Sequence, residues 1–132
     1  MQKNNLTQDY LECILILQKS KGSVRSVDIV HKLGVTKPTV CAMVKKLQDK
    51  NYIVFGEDRF ITLTDSGREI AQKVYDKHLM LAGFLLKIGV SKDNALEEAG
   101  DIEHIIGEET YNCLERLYNS NAFNTYALKL VK

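Results

Sequence analysis

The sequence has no run of about 18 apolar residues, so it offers no helix able to span a bilayer, and no membrane partner is expected. Its opening stretch, Met1-Gln2-Lys3-Asn4-Asn5-Leu6, lacks the apolar core of a secretory signal. Residence in the cytoplasm is therefore the expectation. Cysteine is sparse. Cys13, Cys41 and Cys113 are far apart, odd in number and form no C-x-x-C pair. That argues against a disulfide framework and against a zinc finger. Three small, partly buried thiols in a reducing compartment are expected instead. No phosphate-cradling loop and no nucleophile–base set appears, so neither an enzyme nor a small-molecule substrate is expected. Repeats, low-complexity segments and flexible linkers are absent as well.

What is present is a chain of 132 residues, 45% hydrophobic, enough for one domain or two tightly packed subdomains. The net charge of +1 hides an asymmetry. Residues 1–75 hold 12 basic and 8 acidic side chains, whereas residues 76–132 hold 6 and 9. The basic half suits a polyanion and the acidic half does not.

Periodicity predicts a helix from Leu6 to Lys19, with Thr7 as its cap, Leu6, Tyr10, Ile14 and Leu17 on one stripe, and Gly22 at its end. A short helix follows from Ser26, its expected cap, to Leu33, with Ile29, Val30 and Leu33 inward. Gly34 stands where a left-handed residue is wanted. The next helix has Thr36 as cap and Pro38 in the first turn, where a missing N–H costs little. Val40, Met43, Val44 and Leu47 face inward, and Pro38, Cys41, Ala42, Lys45 and Asp49 share the outer face. Two short helices around a glycine turn make a helix-turn-helix. After Asn51 the period changes from that of a helix to that of a strand. Ile53-Val54-Phe55 and Phe60-Ile61-Thr62-Leu63 flank Gly56-Glu57-Asp58-Arg59 as a hairpin. Further on, helices are expected from Thr64 to Lys87, from a Ser91 cap to Ile106, and from about Glu108 to Tyr118. Asn119-Ser120-Asn121 reads as a loop, and Phe123, Tyr126, Ala127 and Leu130 as a last amphipathic turn or two. The fold class is mainly α: a winged helix-turn-helix over residues 1–64, then an all-helical domain over residues 65–132.

A recognition helix needs small or polar residues at its N-terminal end to enter the major groove. Thr36-Lys37-Pro38-Thr39 supplies them. The Thr36 and Thr39 hydroxyls suit phosphates, Lys37 a base edge or a phosphate, and Pro38 and Ala42 a thymine methyl. Lys45, Lys46 and Lys50 are placed for the backbone, Arg25 is a further phosphate candidate, and Arg59 could follow the wing. Any one lysine here would ordinarily be a solvated surface charge. Their concurrence with the two-helix turn and the hairpin points to double-stranded DNA. Glu57 and Asp58 at the wing tip would repel phosphate.

A second set of residues suits a cation. Asp9 and Glu12 lie three apart on the first helix and project from one face. His78 falls on the inward side of the long helix, and Glu103-His104 follows small apolar positions, with Glu103 on the face of Ala99 and Leu96. An acidic pair is ordinarily a solvated edge, and a lone inward histidine is ordinarily a hydrogen-bonded core residue. Together the set offers three carboxylates and two imidazoles without a thiolate. That mixture suits Mn²⁺ or Fe²⁺ better than structural zinc.

The chain resembles the iron- and manganese-dependent repressors, the diphtheria-toxin-repressor family, and its short manganese-transport-regulator branch in particular. The stretches that carry the resemblance are Leu6-Thr7-Gln8-Asp9-Tyr10-Leu11-Glu12, Gly34 to Val40, Met43 to Leu47, Leu63 to Arg68 and Ile102-Glu103-His104, spanning about residues 5–118. The resemblance implies a homodimer of a winged helix and a helical dimerisation domain. It implies that Asp9, Glu12, His78, Glu103 and His104 match metal ligands, and that metal favours binding to a palindromic operator. A ligand position of the family is Gly100 here, and a frequent second-site glutamate is Ala82. Cys41 stands where a hydroxyl residue is usual. A winged-helix regulator with a reduced or lost metal site that answers to another signal stays open as the alternative. A metalloenzyme and a protein-binding winged helix are the more distant ones.

Overall fold

The computed structural model describes residues 6–124. The opening residues Met1 to Asn5 lie outside them, as do Tyr126, Ala127 and Leu130 of the expected last turn. Six helices and two strands run in the order α1 (Leu6–Lys21), α2 (Ser26–Leu33), α3 (Lys37–Asp49), β1 (Ile53–Phe55), β2 (Ile61–Leu63), α4 (Asp65–Lys87), α5 (Lys92–Glu103) and α6 (Glu108–Tyr118). The chain divides within α4, into a unit ending at Val74 and a unit beginning at Tyr75.

In the N-terminal unit, α1 packs on α2 and β2, α2 on α3, and α3 on β1. The four inward positions of α3, Val40, Met43, Val44 and Leu47, are all buried. They meet a core that includes Leu11, Ile14, Ile29, Ile53 and Ile61. Each such aliphatic side chain contributes about 1.5–3 kcal/mol by leaving water. Leu6 is exposed, so the apolar stripe of α1 begins at Tyr10. Thr7 stands inside the first turn of α1 rather than at its cap. The cap of α2 is Arg25, not Ser26. The Asp28 carboxylate accepts the Arg25 N–H at 2.9 Å, so a side chain of the first turn reaches back to the cap. Gly34 closes α2 at φ +67°, its N–H bonded to the Val30 carbonyl at 2.9 Å.

The hairpin pairs Ile53 with Leu63 and Phe55 with Ile61 in antiparallel register. Phe60, expected in the second strand, belongs to the turn. Ile61 also donates its N–H to Val24 at 2.8 Å, which ties the hairpin to the α1–α2 connection. Gly67, in the first turn of α4, is required by close approach. A Cβ there would lie 2.0 Å from the Tyr52 carbonyl oxygen. Thr64 completes this corner, accepting the Gly67 N–H at 3.1 Å and donating to the Asn51 carbonyl at 2.7 Å.

In the C-terminal unit, Met80, Leu81, Ala82 and Ala99 form the buried centre, with Phe84, Ile102, Tyr111 and Tyr118 packed around it. Phe84 stacks on Phe123 with ring centroids 4.8 Å apart. α5 stops at Glu103, short of the expected Ile106. The N–H groups of His104 and Ile105 bond to carbonyls three residues back, at 3.3 and 2.9 Å. That tighter pattern unwinds the helix before Gly107. Ser91 is the cap of α5 but makes no side-chain cap bond, and Leu96 is exposed while Ala99 and Glu103 are buried. Asn121 is not in the loop; it begins a further helical turn. Only Cys13 of the three cysteines is buried.

Candidate metal centre and nucleic-acid interface

The outer face of α3 is presented in full. Thr36, Lys37, Pro38, Thr39, Cys41, Ala42, Lys45 and Lys46 are all exposed, while the four inward apolar residues anchor the opposite side. Thr36 caps the helix by accepting the Thr39 N–H at 3.4 Å, and the two hydroxyl oxygens lie 2.7 Å apart. Small residues at this end leave backbone and hydroxyls accessible to a partner as close as a base pair, and the lysines follow along one side.

Arg25 is exposed, and its guanidinium sits over the Phe60 ring, 4.4 Å from the centroid. The ring face attracts the cation and holds it beside the wing. Arg59 is exposed at φ +69°, with its N–H on the Gly56 carbonyl at 2.9 Å. Asp58 has a local task that the sequence reading missed. It accepts the Phe60 N–H at 3.0 Å, so its carboxylate shapes the turn. An Asp two residues before an acceptor-seeking N–H is the signal that could have shown it. Asp28 is bonded by Lys21, and this bond together with the Arg25 N–H holds its carboxyl below the usual range.

In the C-terminal unit the structure brings His78 of α4 to Glu103 of α5. His78 Nδ1 and Glu103 Oε1 are 3.0 Å apart. Glu103 is the buried charged residue of the described chain, at 9% exposure. Burial of a carboxylate is costly without a partner, and the imidazole supplies one. Lys77, next to His78, donates from Nζ to the Glu103 carbonyl at 3.2 Å. That contact at the end of α5 was not foreseen. A lysine adjacent to a candidate ligand was its only trace in the sequence. His104 is the C-cap of α5 and half-buried. Asp9 and Glu12 are half-buried on α1 of the N-terminal unit. Ala82 lies in the apolar centre and Gly100 on the α5 face toward His78.

These residues fit a hard or borderline divalent cation. Two donors bound side by side at about 2.1 Å from an ion lie about 3 Å apart, and the His78–Glu103 separation has that value. The thiols fit less well. Burial pushes the Cys13 thiol up to about 11, which keeps it protonated near neutrality. Cys41 is on the outer face of α3, and Cys113 accepts a bond from Arg116 at 3.2 Å.

A helix-turn-helix followed by a hairpin and a helical unit is the architecture of a winged-helix regulator. Comparison with known proteins narrows the class. The family described as the iron dependent repressor, N-terminal DNA binding domain, matches residues 4–60. The companion metal binding and dimerisation domain matches residues 64–129. The chain belongs to the iron-dependent repressor family. It is a metal-dependent transcriptional regulator with a DNA-binding and a dimerisation domain, and not an enzyme.

The chain is 37% identical over 108 residues to the transcriptional regulator MntR of Escherichia coli, covering 82% of this chain and 70% of that one. It is 37% identical over 110 residues to the HTH-type transcriptional regulator MntR of Geobacillus kaustophilus, covering 83% and 76%. A manganese-dependent transcriptional repressor solved with manganese superposes with a TM-score of 0.77 at 28% identity, covering 86% of this chain and 52% of that one. The IdeR structure of T. acidophilum gives a TM-score of 0.77 at 28% identity, covering 90% and 56%. The chain thus spans little more than half the length of these solved structures. Among the described residues, no helix is long and apolar enough to cross a membrane.

Proposed function

We propose that this chain acts in the cytoplasm as a homodimer that, when loaded with Mn²⁺ or Fe²⁺, binds a palindromic operator and represses transcription of metal-homeostasis genes. The observation that carries the reading is the buried Glu103 carboxylate held by His78, in a chain whose α3 presents an unobstructed polar face. The solved repressor named above as manganese-dependent supports the choice of metal. Asp9, Glu12, His78, Glu103 and His104 would hold the ion. The ion would supply positive charge that relieves the buried Glu103 carboxylate.

The chain's own residues do the rest. His78 and Glu103 keep two donors in register between α4 and α5. Thr36, Thr39, Arg25, Lys45, Lys46 and Arg59 take phosphates, and Lys37, Pro38 and Ala42 meet base edges. In a dimer, two recognition helices about 34 Å apart would read successive turns of one DNA face. Metal biases this equilibrium only as far as it binds the DNA-competent state more tightly; a full switch takes about 10⁴ in differential affinity.

The test is anaerobic calorimetry of the metal-stripped protein with Mn²⁺, Fe²⁺, Co²⁺ and Zn²⁺, beside selection of duplexes from a random library with and without metal. Saturable binding that His78→Ala abolishes, and metal-dependent recovery of a palindrome, are expected. Lys37→Ala should weaken DNA binding at least about tenfold, the loss of about 1.4 kcal/mol, with metal affinity unchanged. DNA binding equally tight in the metal-free protein would overturn the reading.

A further inference from the structure

Consecutive residues of α4 grip the same residue of α5 at two points. His78 Nδ1 lies 3.0 Å from the Glu103 carboxylate, and Lys77 Nζ donates to the Glu103 carbonyl at 3.2 Å. Glu103 is the last residue of α5, where the final carbonyls of a helix have no partner within it. The amides that follow bond further back: His104 to Asp101, and Ile105 and Ile106 to Ile102. The Glu103 carbonyl takes its donor from α4 instead. A cation suits this place, since the C-terminal end of a helix carries partial negative charge. The ammonium also lies 5.6 Å from the centroid of the Tyr111 ring, whose face attracts it. Lys77 thus ties α4, α5 and α6 together at a residue whose carboxylate is buried.

We infer that Lys77 is a positioning residue for the metal centre: its ammonium anchors the end of α5 and so holds the Glu103 carboxylate, and the adjoining His104, in place for the ion. The inference rests on the metal reading above and adds to it a residue that does not itself touch the ion. With its carbonyl fixed by Lys77, Glu103 has only its side-chain torsions left to settle, and the His78 contact settles those. Without the anchor, the last turn of α5 is free to fray, and the carboxylate has to be ordered at the moment of binding. Groups that orient metal ligands commonly carry about 10–100-fold in affinity. Charge alone works the other way, since an ammonium repels a nearby cation. Lys77 is half-buried, water screens part of that repulsion, and the ordering outweighs it.

The probe is Mn²⁺, titrated by calorimetry into the full chain, native and as Lys77→Met, Lys77→Gln and Lys77→Arg, beside amide hydrogen exchange of each metal-free protein. Circular dichroism confirms that each variant has folded. Lys77→Met, which keeps the stem and loses the ammonium, should bind Mn²⁺ about tenfold more weakly. Lys77→Gln, a second uncharged variant, should match it. Lys77→Arg, which keeps the charge and the donors, should bind within about threefold of native. In Lys77→Met the amides of His104, Ile105 and Ile106 should exchange about tenfold faster, with those of Met80, Leu81 and Ala82 at native rates. A lysine that served only the stability of the unit would speed both sets alike. Such uniform acceleration would overturn the inference, as would native or tighter Mn²⁺ binding by the uncharged variants, while leaving the metal reading intact. No Mn²⁺ binding by the native chain would sink both.

Discussion

The guanidinium of Arg25 rests 4.4 Å from the ring centroid of Phe60, so the residue that caps α2 is held by the turn of the wing. Two segments that sequence separates by 35 positions thus fix one cation at the edge of the DNA-binding unit.

Arg25→Ala should weaken operator binding about fivefold and lower the slope of log affinity against log salt by about one, the signature of a lost phosphate contact. Phe60→Leu keeps the charge and removes only the ring face, a contribution of about 0.5–1 kcal/mol. It should cost less affinity and leave the salt slope in place. Titrations at several salt concentrations check both. An unchanged slope in Arg25→Ala would remove Arg25 from the interface.

Asp28 gives a pH dependence of known sign. Lys21 first, and then the Arg25 N–H, hold its carboxyl below the ordinary 3.8. A carboxyl lowered in the folded state stabilises fully above its unfolded value, and that stability is lost as pH falls through the lowered folded value. Asp28→Asn should therefore cost about 1 kcal/mol near neutrality. The difference from native should shrink as pH falls below the ordinary 3.8 and through the lowered folded value. Urea midpoints across that range measure it; a gap that widens in acid would contradict the assignment.

Gly67→Ala tests the corner between the hairpin and α4. With a Cβ 2.0 Å from the Tyr52 carbonyl oxygen, backbone must move. A loss of about 3 kcal/mol or more is expected, at the upper end of overpacking penalties. Ser66→Ala, which removes one bond to the Asn51 carbonyl at 3.2 Å, should cost about 1 kcal/mol or less. Equal urea midpoints for the two variants would show that the corner yields.

Most of the framework was legible because burial follows period. Val40, Met43, Val44 and Leu47 read as an inward stripe and are buried together, and the hairpin announced itself by the change to alternation. Helix ends were harder to read. Ser26, the first residue of α2, looked like its cap, yet Arg25 holds that place and a carboxylate three residues beyond it supplies the bond, and Gly107 looked like the stop of α5, which unwinds earlier. In the candidate site, His78 and Glu103 were each visible as polar residues on apolar faces. Their 3.0 Å meeting across 25 residues, the Lys77 bond to the Glu103 carbonyl, and the Arg25–Phe60 stack depend on how elements pack. Periodicity carries no information about such pairs.

The two threonines at the start of α3 have a shared proton inventory. Their hydroxyl oxygens are 2.7 Å apart, so one hydrogen is spent within the pair, whichever residue gives it. Thr36 also accepts from the Thr39 amide. A phosphate oxygen takes hydrogens and offers none. With this cap intact, the hydroxyls of Thr36 and Thr39 together have one hydrogen left to hand outward, so at a phosphate they would count as a single donor rather than two.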